Sequence, residues 1–79
     1  MERNEVFSKL TTIFRTIFNN NSLLLKNELT ANDVDGWDSL SHMLLISEIE
    51  NVFSIKFKLK ELNKMRNVGD MIEIIISKL

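Results

Sequence analysis

The chain of 79 residues has no cysteine and no proline, and its only glycines are Gly36 and Gly69. Without cysteine it forms neither disulfide bonds nor thiolate metal sites, which fits a reducing compartment. Proline, which interrupts helices, is absent, and β-branched residues seldom alternate with polar ones as they do in strands. The composition therefore favours an α-helical chain.

Long apolar runs are missing as well. Stretches such as Leu23–Leu25 and Ile74–Ile76 are far shorter than the ~20 apolar residues of a membrane-spanning helix, so we expect no membrane span. The first residues, Met1–Val6, carry charges in place of the apolar core of a signal peptide. We therefore expect no signal peptide and a cytoplasmic location.

What the chain does contain is typical of a soluble globular protein: 44% of its residues are hydrophobic and 27% are charged. Its length predicts a single domain over residues 1–79, with a modest core and little room for an enclosed active site. We expect this domain to act as a monomer.

Charge is distributed unevenly along the chain, although the net charge is only −1. Residues 33–55 contain five acids and no base, whereas residues 56–66 contain five bases and one acid, Glu61. Such a field can steer partners toward the surface. Nucleic acid is not the expected partner, because domains that bind it usually carry a strong basic excess.

Apolar residues recur at helical spacing in three places, which predicts three longer helices. The first covers about residues 4–18, with Asn4 as its N-cap. The second starts after Asp38 as N-cap and ends near Phe53, and the last covers about residues 68–79. The side chains of the last helix that are predicted to face inward are Val68, Met71, Ile72, Ile75 and Leu79.

The segments between these helices also carry signals. Residues 19–37 form a long first loop, and residues 54–59 form an extended connection that inserts Ile55 into the core. A short helical turn is expected near residues 60–64, and Asn67 with Asp70 resembles a capping box. Together these segments predict an all-α domain, a four-helix bundle of three longer helices, one short helix and a long first loop. The residues expected to anchor that loop are Leu23, Leu24, Leu29, Val34 and Trp37.

The second helix is apolar over more of its circumference than one core face requires. Leu40, Met43 and Leu44 lie beside the core face, and Ser47 continues the same side. This excess predicts a second contact surface near Ser39, unless the long loop covers it. The core face is predicted to contain Leu45, Ile46, Ile49, Val52 and Phe53.

Ser39 is expected on the first turn of the second helix. Together with Asp38 and His42 it suggests a Ser-His-Asp hydrolase, but Asp38 is needed as the helix cap, and no G-x-S-x-G elbow is present. A calcium loop starting at Asp33 fails, since an EF-hand needs glycine and glutamate where this chain has Asp38 and Leu44. What remains is a serine presented at a helix N-terminus, where a phosphodiester is favoured.

The stretch "GWDSL" at residues 36–40, followed by an acid-bearing apolar helix, resembles the acyl carrier protein family. The resemblance continues through "EIENVFSIKF" and "NVGDMIEIIISKL" and covers nearly the whole chain. It implies a four-helix bundle with 4′-phosphopantetheine on Ser39, transferred from coenzyme A by a phosphopantetheinyl transferase. The arm's thiol would hold acyl groups as thioesters, so the chain would be a carrier and not an enzyme, and would need no cysteine.

The resemblance also implies which side of the second helix meets other proteins. Its partners would be acyl-loading and acyl-processing enzymes, while the opposite side lines the core. Carried over by position, the residues that face partners are Asp38, Leu40, Met43, Leu44, Ser47 and Glu48.

The chain departs from carriers of fatty acid synthesis in its charges. Acids usual at the second and fifth positions after the serine are replaced by Ser41 and Leu44, and the usually acidic segment after the helix is rich in lysine. We therefore expect a carrier in a specialised pathway, such as one for a polyketide, a modified saccharide or a secondary metabolite. Two alternatives stay open: a peptidyl or aminoacyl carrier, and a helical interaction module without a prosthetic group.

Overall fold

The computed structural model describes residues 1–79 and contains four helices and no strand, which confirms the predicted all-α class. Helix α1 is Arg3–Ile17, α2 is Ser39–Phe53, α3 is Leu59–Leu62 and α4 is Val68–Lys78. A 3₁₀ turn, Ala31–Asp33, lies in the long loop between α1 and α2. No helix has both the length and the apolar character that crossing a membrane requires.

The core is one cluster of apolar side chains drawn from α1, α2, α4 and the connections between them. Helix α1 packs against both α2 and α4. Burying each large apolar side chain stabilises the fold by about 1.5–3 kcal/mol relative to leaving it in water. The fully buried side chains are Val6, Leu10, Phe14, Leu45, Ile49, Val68, Met71, Ile72 and Ile75.

Helix α1 begins at Arg3, so the assignment of Asn4 as its N-cap is wrong. The cap position is Glu2, and its side chain makes no capping hydrogen bond. An ion pair between the Arg3 guanidinium and Glu73 of α4 joins this first turn to the bundle instead. Because both side chains are largely exposed, the pair contributes about 1 kcal/mol or less.

The long first loop is anchored by fewer of its predicted residues than expected. Leu24 is 76% exposed, so its prediction as an anchor is wrong, and the adjacent Leu25 is buried in its place. The loop is irregular there, so no periodicity decides which of three consecutive leucines points inward. The buried anchors are Leu25, Leu29, Val34 and Trp37, and Leu23 packs against the core in part.

The loop also provides hydrogen-bond partners for the start of α4. The backbone amides of Val68 and Gly69 donate to the carbonyls of Leu29 and Asn27, at 3.0 and 2.9 Å. The first amides of a helix have no partner within it, so these bonds satisfy groups that would otherwise need water. A Cβ on Gly69 would lie 3.2 Å from the Asn27 carbonyl oxygen, so glycine permits this close approach.

Helix α4 is capped by Asn67, whose side chain accepts from the amide of Asp70 at 2.8 Å. The predicted capping box is incomplete, because the Asp70 carboxylate accepts from the amide and the guanidinium of Arg66 instead, at 3.2 and 3.1 Å. Leu79 was predicted to face inward but lies beyond the end of α4 and is exposed.

The connection after α2 is extended and places Ile55 in the core, as predicted. Ser54 ends α2 in the left-handed conformation, with a φ of 56°. The amide of Phe57 donates to Glu50 Oε2 at 2.9 Å, which holds the connection against α2. Helix α3 follows slightly earlier than the predicted turn at residues 60–64.

Candidate functional site

A reciprocal pair of hydrogen bonds fixes the start of α2. The Asp38 carboxylate accepts from the Ser41 amide at 2.9 Å, and the Ser41 hydroxyl accepts from the Asp38 amide at 2.8 Å. The Ser41 hydroxyl also donates to the carbonyl of Gly36 at 2.7 Å. Because the bond from the Ser41 amide stabilises the carboxylate, the pKa of Asp38 lies below its usual value. Asp38 is therefore the helix cap, as predicted.

The two residues before the cap hold the loop end in place. Gly36 has a φ of +86°, a conformation that side chains with a Cβ rarely adopt. Trp37 is buried, with its ring edge-on to Phe14 at 5.2 Å between centroids and tilted to Phe18 at 6.0 Å. Such aromatic pairs add about 0.5–1.5 kcal/mol beyond the area that they bury. The position at which α2 begins is thus set by the core.

Ser39 is the first residue of α2, and its side chain is exposed. Its hydroxyl has no hydrogen-bond partner in the protein, whereas the hydroxyl of Ser41 is engaged with the loop and the cap. No neighbouring side chain takes the proton of Ser39. The hydroxyl is therefore accessible to another protein but is not activated by this one.

His42 lies one turn along α2 and is partly packed. The Nε1–H of Trp37 donates to Nδ1 of His42 at 3.1 Å, and the two rings are nearly parallel, with their centroids 6.1 Å apart. Burial disfavours the charged imidazolium, so the pKa of His42 lies below its usual value of 6.5. With Nδ1 bound to Trp37 and the Asp38 carboxylate bound to the helix start, no catalytic triad is formed.

An open depression in the surface lies beside Ser39. Its walls come from three parts of the chain: the first loop, the start of α2, and the segment between α3 and α4. It combines apolar side chains with the charged groups of Arg66 and Asp38. Because the Asp38 carboxylate is bound to the start of α2, the depression suits a flexible chain that carries an anion. Besides Ser39 its lining includes Trp37, His42, Met43, Met65 and Arg66.

The wide apolar side of α2 is left open by the long loop. Leu40, Met43 and Leu44 are 75%, 57% and 56% exposed, and Ser47 and Glu48 are exposed next to them. Exposed apolar side chains that cluster on one helix face are typical of a contact surface for another protein. The opposite side of α2 is buried through Leu45, Ile46, Ile49 and Phe53, as predicted, but Val52 is exposed and its placement in the core is wrong.

Fewer acidic side chains are free around this apolar side than the five acids of residues 33–55 suggest. Of the acids on α2, Glu50 accepts from the Phe57 amide at 2.9 Å and lies 3.9 Å from the Lys56 ammonium, which leaves Glu48 exposed. Beyond α2, Glu61 accepts from the Lys58 amide and pairs with Lys78, which together lower its pKa.

Two features of the site were not predicted from the sequence: the hydrogen bond between Trp37 and His42, and the position of Met65 and Arg66 beside Ser39. The first spans the junction of a loop and a helix, where no single periodicity applies. The second depends on how the connection before α4 returns to α2.

No protein-family model and no curated protein sequence matches the chain. Solved structures do match. One of them is the solution NMR structure of a holo acyl carrier protein from Geobacter metallireducens, which is 48% identical in sequence and superposes with a TM-score of 0.88. The alignment covers 92% of this chain and 84% of that chain.

Proposed function

This chain belongs to the acyl carrier protein family, and from that premise we propose that it carries acyl groups on a 4′-phosphopantetheine arm attached to Ser39. Members of this family are carriers rather than enzymes. The observation that supports Ser39 most strongly is its exposed hydroxyl, which lies at the first position of α2 and has no partner in the protein. The arm supplies the thiol that the chain lacks, and that thiol holds acyl groups as thioesters.

The residues around Ser39 fit such a group. The hydroxyl is accessible to a phosphopantetheinyl transferase, which would attach the arm from coenzyme A. Asp38 and Ser41 hold the first turn of α2 in a fixed position, so the attachment point does not depend on a mobile loop. The depression beside Ser39 gives the first part of the arm a surface to lie on.

We propose that the exposed side of α2 contacts the transferase and the enzymes that load and process the acyl group. This surface comprises six residues around the attachment point, and its centre is apolar. Side chains that are exposed in the free protein and apolar lose unfavourable contact with water when a partner covers them. The six are Asp38, Leu40, Met43, Leu44, Ser47 and Glu48.

The charge pattern favours a specialised pathway over housekeeping fatty acid synthesis. Ser41 occupies a position where an acid would meet a basic partner, and its hydroxyl serves the helix cap instead. Leu44 occupies another such position and is exposed. Each missing charge contact costs about 1 kcal/mol or less at an exposed site. If fatty acid synthase enzymes elongate chains on this protein as well as on a housekeeping carrier, this assignment fails.

The attachment is tested by intact mass. The purified protein is incubated with coenzyme A and a broad-specificity phosphopantetheinyl transferase, beside the variants Ser39→Ala and Ser8→Ala. Ser8 is a matched control, because it is an exposed helical serine that lies on α1, outside the proposed contact surface. We expect the wild type and Ser8→Ala to gain one phosphopantetheine and Ser39→Ala to gain none. A folded wild type that gains nothing from a transferase active on another carrier would contradict the proposal.

A further inference from the structure

The bond between Trp37 and His42 decides where the imidazole carries its proton. Because the indole Nε1 is only a donor, Nδ1 of His42 must accept, as the distance of 3.1 Å between them indicates. A neutral imidazole has one N–H, so the proton lies on Nε2. His42 is therefore a fixed hydrogen-bond donor, whose tautomer is set by the buried tryptophan beside it.

The free nitrogen of His42 is open to solvent. Nε2 has no hydrogen-bond partner in the protein, and no side-chain nitrogen or oxygen without a partner is buried. Side chains on a helix lean toward its N-terminus, so a residue covers the turn before its own position. For His42 that turn contains Ser39, and both residues line the same depression.

Arg66 brings a second donor to this depression from the segment before α4. Its guanidinium Nε is 3.1 Å from Asp70 Oδ2, and its side chain is otherwise exposed. The remaining charged group at the depression is Asp38, which is occupied with the Ser41 amide. Phe14 of α1 and Phe18, which follows the last residue of that helix, contact Trp37 through their rings and add no charged group.

We infer that His42 Nε2–H and the Arg66 guanidinium form a subsite for the phosphodiester that links the arm to Ser39. The inference rests on the proposed function, since Ser39 must carry the arm. Both residues act as positioning residues: they hold the anion against the wall of Trp37, Met43 and Met65, and so set the direction in which the arm leaves the protein.

The test follows the ³¹P resonance of the holo protein between about pH 5 and 7.5, where histidine is the side chain that ordinarily titrates. A phosphodiester stays a monoanion throughout this range and does not titrate itself. His42 is the only histidine in the chain, so no other imidazole contributes. We expect the ³¹P shift to follow a single titration curve with the same midpoint as the His42 ring resonances.

A comparison of apo and holo protein adds a second readout. An anion near the imidazole favours its charged form, so the His42 midpoint should lie higher in the holo protein, by about half a pH unit or more. In His42→Gln the ³¹P resonance should stay constant with pH. Glutamine keeps an acceptor for the indole N–H, so this variant preserves the packing of Trp37.

Arg66→Gln is compared with Lys64→Gln, which removes one positive charge from the same segment but outside the depression. We expect the ³¹P resonance at pH 7 to move in Arg66→Gln and not in Lys64→Gln. If the wild-type ³¹P shift does not change with pH and the titration midpoint of His42 is equal in apo and holo protein, the proposed subsite is wrong, whereas the carrier function is unaffected. A protein that the transferase does not load would overturn both.

Discussion

Leu44 and Leu45 are neighbours in sequence, yet Leu44 is 56% exposed and Leu45 is completely buried. The two side chains mark the boundary between the exposed side of α2, for which we propose contact with partner proteins, and its core side. The same residue type therefore lies in two environments at adjacent positions, and substitutions distinguish them.

We expect Leu45→Ala to lower the free energy of unfolding by about 2–5 kcal/mol, because it leaves a cavity in the core. Leu44→Ala should change it by no more than about 0.5 kcal/mol, since the side chain lies at the surface. Urea denaturation followed by circular dichroism measures both. Equal losses in the two variants would mean that Leu44 is packed in solution.

The apolar side of α2 should matter for modification by the transferase. Leu40→Ala should lower kcat/KM for transfer from coenzyme A about fivefold, which corresponds to about 1 kcal/mol for truncating an interface residue. Leu24→Ala is the matched control, because Leu24 is as exposed as Leu40 but lies in the first loop. If both variants are modified at the wild-type rate, the transferase does not use this side of α2.

The cap at the start of α2 should make part of the stability depend on pH. The pKa of Asp38 is lowered in the folded protein, so its contribution is complete above the unfolded value of about 3.8 and is lost as the pH falls through the lower folded value. Asp38→Asn keeps a side-chain acceptor without the charge, so this part of the decline should disappear. Free energies of unfolding of both proteins at pH 7 and in this acid range test it. Identical pH profiles would show that the carboxylate makes no such contribution.

The contact between the only tryptophan and the only histidine should be visible by fluorescence. An imidazolium quenches a neighbouring indole more strongly than a neutral imidazole does, so emission should fall as the pH is lowered through the His42 pKa, which lies below 6.5. Because the pKa of His42 is lower in the folded protein, the folded state binds a proton at His42 less readily than the unfolded chain does. As the pH falls from 6.5 to the folded pKa, this group should therefore lower the free energy of unfolding, and below the folded pKa its effect should be constant.

His42→Gln is the control for this titration, because it removes the titrating group and keeps an acceptor for Trp37. Its emission should be constant with pH over the same range. A wild-type titration that persists unchanged in His42→Gln would assign the quenching to another group.

The sequence was sufficient for the fold because the signals were local and periodic. Asp38 as the cap of α2, Ile55 as a core residue in an extended segment, and the buried face of α4 from Val68 to Ile75 all follow from spacing. The predictions that failed lie where spacing gives no answer. Leu24 sits among three leucines in an irregular loop, and Val52 lies at the edge of the buried face of α2.

The site was only partly predictable for a related reason. Ser39 and the exposed side of α2 belong to one helix, so their geometry follows from their positions in it. Arg66 reaches the same depression from a distant segment, and Trp37 meets His42 across a loop–helix junction. Contacts of that kind depend on how the chain is packed, which a single sequence does not display.

The most direct test of the central claim is to locate the attached group. The protein loaded from coenzyme A by a phosphopantetheinyl transferase is digested, and the peptide that contains α2 is fragmented in a mass spectrometer. We expect one phosphopantetheine, carried by Ser39 and absent from Ser41 and Ser47. A group found on another serine, or a folded wild-type chain that accepts none, would contradict it.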